Sequence, residues 1–186
     1  MTYQFKGYHG TSDESAKEII SSDYELSKGD NHWLGDGIYF FIDGISSKPE
    51  YQAQQWAIAQ SWDSANKKYK YNKFCTISST IEVNENNFLD LTTEDGLEIL
   101  EYLISCFENK IKILNKQYKY LEGCLINLAR GEGILPIEVA KGNFYIKFSK
   151  ERINNINLRT SNCTVCCVHN PKKNLANKTI VNTGGI

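Results

Sequence analysis

The chain has 186 residues, which suits one domain with a sizeable core, or at most a domain with a small appendage. Its net charge of −1 and pI near 6.3 give no overall field that steers it towards nucleic acid or anionic membranes. No basic N-terminal segment precedes an apolar run, and no apolar run approaches the roughly 18 residues of a membrane span. We therefore expect a cytoplasmic protein without membrane contact, whose six cysteines are reduced thiols.

The first predicted strand ends beside a histidine. Residues 3–8 are interpreted as a strand, and His9 stands at its C-terminal edge, either facing a ligand or satisfied by a backbone carbonyl. The spacing Thr11-x-x-Glu14 predicts a capping box that opens a helix. The buried stripe of this helix is Ala16, Ile19 and Ile20. Free N–H groups at a helix N-terminus favour a phosphate, and His9 precedes such an N-terminus.

A glycine-rich turn leads into the second predicted strand. His32 ends a polar, irregular segment and is expected at the surface. Residues 33–41 then carry Gly35 and Gly37 ahead of a β-branched and aromatic run, which favours a strand. Glycines at these positions permit positive φ and close backbone approach. Tyr39 lies in this strand, as a ligand contact or as a core aromatic whose hydroxyl reaches a partner.

A helix and a basic patch follow. Pro49 suits the first turn of the helix, and Trp56 is expected to anchor that helix against the sheet. Residues 67–72 interleave lysine with tyrosine, a pattern that can contact phosphates while the rings stack on bases. The favoured interpretation is a solvated loop, since no other part of the chain is strongly basic. The patch is nonetheless the first place to look for a nucleic-acid substrate.

The remaining elements are predicted from hydrophobic periodicity. They are strands at 74–83, 88–91, 139–148 and 164–168, and helices at 93–119 and 121–128. The helix at 93–119 has the strongest apolar stripe and is expected to pack on the sheet. We expect a single domain over residues 1–171, followed by a polar C-terminal tail at 172–186 that is frayed or forms a short edge element.

Two motifs in the first half of the chain resemble a known family. They are His9-Gly10-Thr11-Ser12 and, after a short helix, Gly35-x-Gly37-Ile38-Tyr39-Phe40. Together they resemble the NAD site of ADP-ribosyltransferases of the diphtheria-toxin and poly(ADP-ribose) polymerase class, which carry a His-Tyr-Glu triad. The chain is most similar to small bacterial and phage-like domains of this class, in which an Ala-x-x-Trp-Ala helix follows; here that helix is Ala53-Gln54-Gln55-Trp56-Ala57. The resemblance covers residues 1–92.

The resemblance implies a fold and a substrate. The fold is α+β, with a split β core of two mostly antiparallel sheets and helices packed outside, and NAD is the substrate. The resemblance further implies that His9 bonds the adenosine-side ribose and that the Gly10 backbone grips the nicotinamide amide. Tyr39 would pack on the nicotinamide ring. His9 and Tyr39 are thus the candidate catalytic residues taken from the two motifs.

Further NAD contacts are implied around these residues. Thr11 and Ser12 would contact ribose or phosphate. Gly35 and Gly37 would let the strand approach the ligand. The resembling enzymes often have a second aromatic that closes on nicotinamide, and Tyr51 is the nearest candidate for it.

The catalytic Glu of the family has no acidic counterpart at its expected place. Segment 161–167 lacks Asp and Glu, and Asn162 or Cys163 stands there, with Cys163 taken as the candidate catalytic residue. ADP-ribosyl transfer passes through an oxocarbenium-like ribose, whose positive charge a carboxylate stabilises. The lack of an acidic residue in this segment argues first for mono-ADP-ribosylation rather than chain elongation. The second alternative is a carboxylate from elsewhere, such as Glu132 or Glu138, and the third is an inactive enzyme.

The same segment has a competing interpretation as a zinc site. Cys163-x-x-Cys166-Cys167-x-His169 offers thiolates and an imidazole, which suit zinc. In a strand, however, alternation puts Cys163, Cys167 and His169 on one face and Cys166 on the other, which a tetrahedral site tolerates poorly. Buried thiols acting as small hydrophobes are the favoured interpretation, with no metal bound.

These features predict a mono-ADP-ribosyltransferase that moves ADP-ribose from NAD to a macromolecular acceptor, either protein or nucleic acid, and releases nicotinamide. The resemblance also implies an intracellular toxin or phage-conflict effector, with an antitoxin or inhibitor protein as a partner. Two other classes remain. A catalytically inactive NAD- or ADP-ribose-binding module is favoured by the missing Glu, and a zinc-stabilised interaction domain is favoured by the cysteine cluster.

Overall fold

The computed structural model describes residues 1–29, 31–114, 120–148 and 161–186. The helices are α1 Asp13–Ser21, α2 Pro49–Ser61, α3 Glu94–Leu114, α4 Leu121–Gly131 and α5 Pro171–Asn174. The strands are β1 Thr2–Ser12, β2 Ile38–Ile42, β3 Trp62–Asp63, β4 Lys68–Tyr69, β5 Lys73–Asn84, β6 Phe88–Asp90, β7 Val139–Tyr145, β8 Asn162–Val168 and β9 Leu175–Gly185. The last five residues of the helix expected at 93–119 lie outside the described residues. The α+β class is confirmed.

The main sheet narrows to a single paired residue at its middle. Its strand order is β6-β7-β8-β2-β1-β5-β9, with β6 and β7 parallel and the other neighbours antiparallel. The neighbours β1 and β2 share one register pair, Tyr8 with Phe41, whereas β1 pairs with β5 along its whole length. The two sheets expected from the sequence are therefore two halves of one mixed sheet. We call them the β1 half (β1, β5, β9) and the β2 half (β2, β6, β7, β8).

The start of α1 differs from the expected capping box. Ser12, not Thr11, is the N-cap residue, and its Oγ accepts a hydrogen bond from Ser15 N at 3.1 Å. The reason is that β1 continues through Ser12, which pairs with Phe74 of β5. Strand pairing therefore moves the helix start one residue beyond the motif.

The C-terminal segment also differs from the expected tail. Residues 175–185 form β9, which pairs with β5 from Ile81 back to Lys73 and so belongs to the main sheet. The pairing contains two register shifts, which are bulges of the kind that interrupt edge strands. Without β9, one edge of β5 would be left unpaired. The C-terminal segment is polar, but its β-branched residues at 179–181 favour a strand, and it pairs with that edge.

The three cysteines of β8 contribute to three different parts of the core. Cys163 packs with Phe41 and Val165, Cys166 with residues of the β1 half, and Cys167 with residues of α3 and α4. This confirms the alternation predicted for a strand, with Cys166 facing away from the other two. Across the described ranges, no helix is long and apolar enough to span a membrane.

Candidate functional site

A cavity of about 910 Å³ lies between residues of β1 and β2. β1 contributes His9 and Gly10 to its wall, and β2 contributes Ile38, Tyr39 and Phe41. The wall is completed by α1 and the loop after it, by Trp56 of α2, and by residues near the end of β7. The volume falls within the roughly 300–1,000 Å³ of small-molecule sites. The narrow join between the two halves thus coincides with a cavity large enough for a small molecule.

His9 is held in one orientation by the neighbouring strand. Its Nδ1 lies 2.9 Å from the backbone oxygen of Tyr39, and because a carbonyl only accepts, Nδ1 carries the proton. Burial lowers the pKa of His9 and outweighs the opposing effect of that hydrogen bond. The ring is therefore neutral at physiological pH, and Nε2 is left as an acceptor. The rings of Tyr24 and Phe40 flank the imidazole, with centroids 5.5 and 5.8 Å away.

Tyr39 uses its hydroxyl to close the glycine-rich turn. The hydroxyl donates to Gly35 O at 2.6 Å and accepts from Leu34 N at 3.0 Å. Burial raises the pKa of Tyr39 well above its ordinary value, so the hydroxyl stays protonated. Since the hydroxyl already has two backbone partners, the part of Tyr39 offered to a ligand is its ring.

The glycines of the two motifs are required by close packing. A Cβ on Gly10 would lie 1.8 Å from Ala53 O, so Gly10 lets α2 press against β1. Gly35 has a φ of +82°, and a Cβ there would lie 2.6 Å from the amide oxygen of Asn127. A Cβ on Gly37 would lie 2.5 Å from Cys167 Sγ. Gly10 and Gly37 also line the cavity, whereas Gly35 supports it from outside.

The structure brings together some of the sequence-predicted residues and not others. His9, Gly10, Gly37 and Tyr39 line the cavity. The others do not: they are Thr11, Ser12, Gly35, Tyr51 and Cys163. Thr11 is a paired strand residue and Ser12 is a helix cap. Tyr51 is 56 % exposed on α2.

Cys163 is packed in the core rather than presented to the cavity. It is fully buried, and its thiol points to Ser161 O at 3.6 Å. Burial raises the pKa of Cys163 to about 12, so the group is a neutral thiol. The alternative carboxylates are also engaged elsewhere, since Glu132 pairs with Lys110 and Glu138 with Lys173.

Three carboxylates that sequence reasoning missed line the cavity. Glu18 belongs to α1, and Asp23 and Glu25 follow that helix. Asp23 Oδ1 accepts from Tyr24 N at 2.9 Å, and Lys178 of β9 lies 3.5 Å away. In the sequence all three lie between the two motifs, Glu18 in the predicted helix and Asp23 and Glu25 in the irregular segment after it, and no motif singles them out.

An aromatic cluster around Trp33 forms another part of the wall. Trp33 stacks on Phe144 with ring centroids 5.2 Å apart and an interplanar angle of 19°. Its other neighbours are Trp56, Tyr120 and Tyr39, at 5.6, 6.0 and 6.2 Å. Trp56, expected only as a core anchor, therefore also lines the cavity.

His32 differs from its expected surface position. It is half-buried and lines the cavity, with its ring centroid 5.9 Å from that of Tyr39. Its Nε2 lies 3.1 Å from Ser27 Oγ. The polar segment that precedes the second motif is therefore folded back onto the cavity rather than projecting into solvent.

The zinc interpretation gains no support from the geometry. Among residues 1–29, 31–114, 120–148 and 161–186, no three His, Cys, Asp or Glu side chains are grouped closely enough to hold a metal ion. Cys167 Sγ and His169 Nδ1 lie 3.7 Å apart, but Cys166 faces the opposite side of β8. His169 Nδ1 is also taken up by Asp36 O at 2.7 Å.

Comparison with known proteins finds a similarity over part of the chain. No family model matches the chain. Over 86 residues the chain is 37 % identical to "Uncharacterized protein MJ0359" of the archaeon Methanocaldococcus jannaschii. The match covers 46 % of this chain and 36 % of that protein, so the chain spans about a third of its curated relative. The similarity indicates shared ancestry of a segment and carries no activity with it.

Proposed function

We propose that this protein is a mono-ADP-ribosyltransferase, which moves ADP-ribose from NAD to a macromolecular acceptor and releases nicotinamide. The observation that carries the proposal is the meeting of His9 and Tyr39, from two separate motifs, in one cavity between β1 and β2. Their contact is direct, because the His9 ring is bonded to the Tyr39 backbone. The split in the main sheet supports the proposal, since the resembling enzymes hold NAD in a cleft of a split β core.

The chemistry of these residues fits the roles that the resemblance implies. A neutral His9 with a protonated Nδ1 would accept, at Nε2, a hydrogen bond from a ribose hydroxyl. The Tyr39 ring, with its hydroxyl tied back to Gly35, would offer a fixed face to the flat nicotinamide. Gly10 would leave its backbone close to the carboxamide. Fixed groups of this kind favour reaction because they lose little freedom when the substrate binds.

Because β8 carries no carboxylate, the oxocarbenium-like ribose would have to be stabilised by a carboxylate from another element. Glu18, Asp23 and Glu25 line the cavity, whereas Glu132 and Glu138 do not. A negative charge in a partly enclosed site stabilises developing positive charge more than it would in water. We propose that one of these three carboxylates stabilises the ribose cation during transfer of a single ADP-ribose. A toxin or phage-conflict role, with an antitoxin as partner, is proposed on the resemblance alone.

A second candidate is a binding module that holds NAD or ADP-ribose without cleaving it. The observation that favours it is the content of β8, where Cys163 is a buried neutral thiol and no carboxylate is present. This module predicts NAD binding with no release of nicotinamide.

The test is incubation of the purified protein with labelled NAD and a total cell lysate, divided into protein and nucleic-acid fractions. His9→Ala removes the proposed ribose contact, and Tyr51→Ala is the matched control, an exposed aromatic outside the cavity. Label that survives in Tyr51→Ala and disappears in His9→Ala supports the transferase. NAD binding without label or nicotinamide release would leave the binding module, and absence of NAD binding would exclude both.

A further inference from the structure

A short hairpin after α2 carries a charge opposite to that of the rest of the chain. Residues 62–73 contain Lys67, Lys68, Lys70 and Lys73 against the one acid Asp63, so the segment has a net charge of +3. Since the whole chain carries −1, the remainder carries −4. The potential around the hairpin is therefore a local feature of this surface. Within the basic patch at 67–72, Lys68–Tyr69 form β4, and the other residues belong to the turn before it and to the exposed link that leads to β5.

The hairpin holds two aromatic rings on one exposed face. β3 and β4 pair antiparallel, with Trp62 directly opposite Tyr69. The two ring centroids are 5.1 Å apart at 71°, and the residues remain 44 % and 52 % exposed. Cross-strand aromatic pairs stabilise a hairpin, which explains the contact between the rings. It does not explain why both rings lie in solvent beside four lysines.

The acid of the hairpin is used to build its turn. Asp63 Oδ1 accepts from the backbone N–H of Ala65 and of Asn66, both at 3.0 Å, and Oδ2 accepts from the Asn66 amide. These hydrogen bonds lower the pKa of Asp63 and keep its charge turned into the loop. Residues 64–70 are all exposed, so Lys67, Lys68 and Lys70 present their ammonium groups to solvent.

The base of the hairpin is anchored next to the cavity wall. Tyr71 donates its hydroxyl hydrogen bond to Ala57 O, and Lys70 N donates to Ser61 O at 2.7 Å. Ala57 follows Trp56, which lines the cavity. The hairpin is therefore attached to α2, the same helix that contributes Trp56 to the cavity wall.

We propose that the hairpin formed by residues 62–73 binds single-stranded nucleic acid and presents it to the cavity as the acceptor of ADP-ribose. Lysines neutralise backbone phosphates, and exposed Trp and Tyr rings stack on bases without regard to sequence. A duplex offers phosphates but no free base faces, so the aromatic pair selects single strands. The role as acceptor rests on the proposed transferase activity, whereas the binding itself does not require NAD.

The test is fluorescence anisotropy of a labelled single strand of about 20 nucleotides, longer than the sites that single-strand-binding folds occupy. RNA, DNA of the same sequence and the matching DNA duplex are measured without NAD over a range of salt. The charge variant is Lys67→Gln, Lys68→Gln and Lys70→Gln together. Its matched control neutralises three exposed lysines elsewhere, namely Lys28, Lys48 and Lys172. Tyr69→Leu removes one ring and keeps an apolar partner for Trp62.

We expect single strands to bind and the hairpin charge variant to lose most of this affinity while the control keeps it. Each lost phosphate contact lowers the slope of log K against log salt by about 0.7 for a single strand, so the charge variant should lose about 2. Loss of one stacked base in Tyr69→Leu should weaken binding by about fivefold or more. RNA and DNA arms that differ would identify which strand is the acceptor.

Several results would overturn this surface assignment without touching the transferase proposal. They are absence of binding by the unmodified chain, equal loss of binding in the two lysine variants, and equal affinity for the duplex. Protein labelling that falls in the hairpin variant, with no oligonucleotide bound, would assign the surface to a protein acceptor instead. Conversely, the protein could bind the oligonucleotide at the hairpin and yet release no nicotinamide from NAD. That result would support nucleic-acid binding by the hairpin and exclude its role in presenting an acceptor.

Discussion

Two histidines hold the second motif from the two strands that flank β2. His9 of β1 bonds Tyr39 O through Nδ1 at 2.9 Å, and His169, just after β8, bonds Asp36 O through Nδ1 at 2.7 Å. Burial lowers the pKa of each ring. They differ in what surrounds the rest of the ring. His9 lines the cavity, whereas His169 is 4 % exposed and its Nε2 has no hydrogen-bond partner among the described residues.

The same kind of hydrogen bond therefore serves two purposes. A histidine fixed through Nδ1 offers Nε2 to whatever lies beyond it, and only His9 has an open site there. His169 instead sits against Cys167, and Arg130 lies near enough to affect its titration. We therefore propose that His9 contacts the ligand and that His169 supports the glycine-rich turn. Residue type and hydrogen bonding alone would not separate them.

The largest expected difference is between substitutions of the two histidines. His9→Ala should lower nicotinamide release by about a hundredfold or more, because misplacement of a bound substrate by an ångström has an effect of that order. His169→Gln, which keeps a donor for Asp36 O, should retain most activity at a temperature where it is folded. Initial rates of nicotinamide release by chromatography check this. Equal losses in the two variants would remove the distinction between them.

The next effect is on the pH dependence of folding. Burial and Arg130 lower the pKa of His169 from 6.5 to about 4, so the unfolded chain binds the proton more readily. Stability from this group is complete above the unfolded pKa and is lost as pH falls towards 4. Between pH 7.5 and 5 the loss would be at most about 2 kcal/mol.

Urea unfolding at the two pH values measures this loss, with His169→Gln as the comparison. The variant should be flatter between pH 7.5 and 5, and the dependence that remains includes a loss of the same sign from His9, whose pKa is also lowered by burial. An unchanged slope would mean that His169 is protonated or hydrated in the folded chain, against its burial.

A third prediction concerns the hydroxyl of Tyr39. Tyr39→Phe keeps the ring but leaves Leu34 N without its hydroxyl partner and Gly35 O with only the weak Cys167 Sγ contact at 3.6 Å. Each unsatisfied buried polar group costs about 1–3 kcal/mol, so the melting temperature should fall clearly while NAD affinity changes less. Thermal unfolding and calorimetric titration with NAD separate the two quantities. Unchanged stability with lost binding would place the hydroxyl on the ligand instead.

The sequence predicted the local part of the site and missed its long-range part. His9 and Tyr39 were found because each belongs to a short motif with its own strand signal. Tyr51 was chosen for its nearness along the chain, yet it lies five residues before Trp56 on α2. That spacing turns it far around the helix, and Tyr51 is exposed while Trp56 lines the cavity. Register and helix phase, not composition, decide such cases.

Lys178 shows the same limit for the fold. Nothing in a polar C-terminal segment indicates which helix its lysine will reach. The register shift between Ser78 and Thr80 places an extra residue on β9, and Asn177 has a φ of +56° there. Bulges re-aim side chains, and Lys178 points back to α1. Its ammonium donates to Ile19 O and Ser22 O, both at 3.0 Å.

The smallest expected effect follows from this contact. α1 has no basic residue in its last turn, so Lys178 supplies the cation that its C-terminus favours. The loop it holds continues into Tyr24, whose hydroxyl lies 2.9 Å from Ser79 Oγ and whose ring flanks His9. Lys178→Met should cost about 1 kcal/mol of stability, since the ammonium is partly exposed.

The same substitution should reach the cavity through Tyr24. A looser Tyr24 admits water to the His9 ring, so the pKa of His9 should rise towards its ordinary value, which an NMR titration of the ring nitrogens measures without any ligand. NAD affinity should fall by a few-fold with the turnover rate unchanged. Lys172→Met, an exposed lysine on α5, is the matched control. A His9 titration identical in the two variants would mean that β9 stabilises the sheet without shaping the cavity, and that the His9 wall is set by β2 alone.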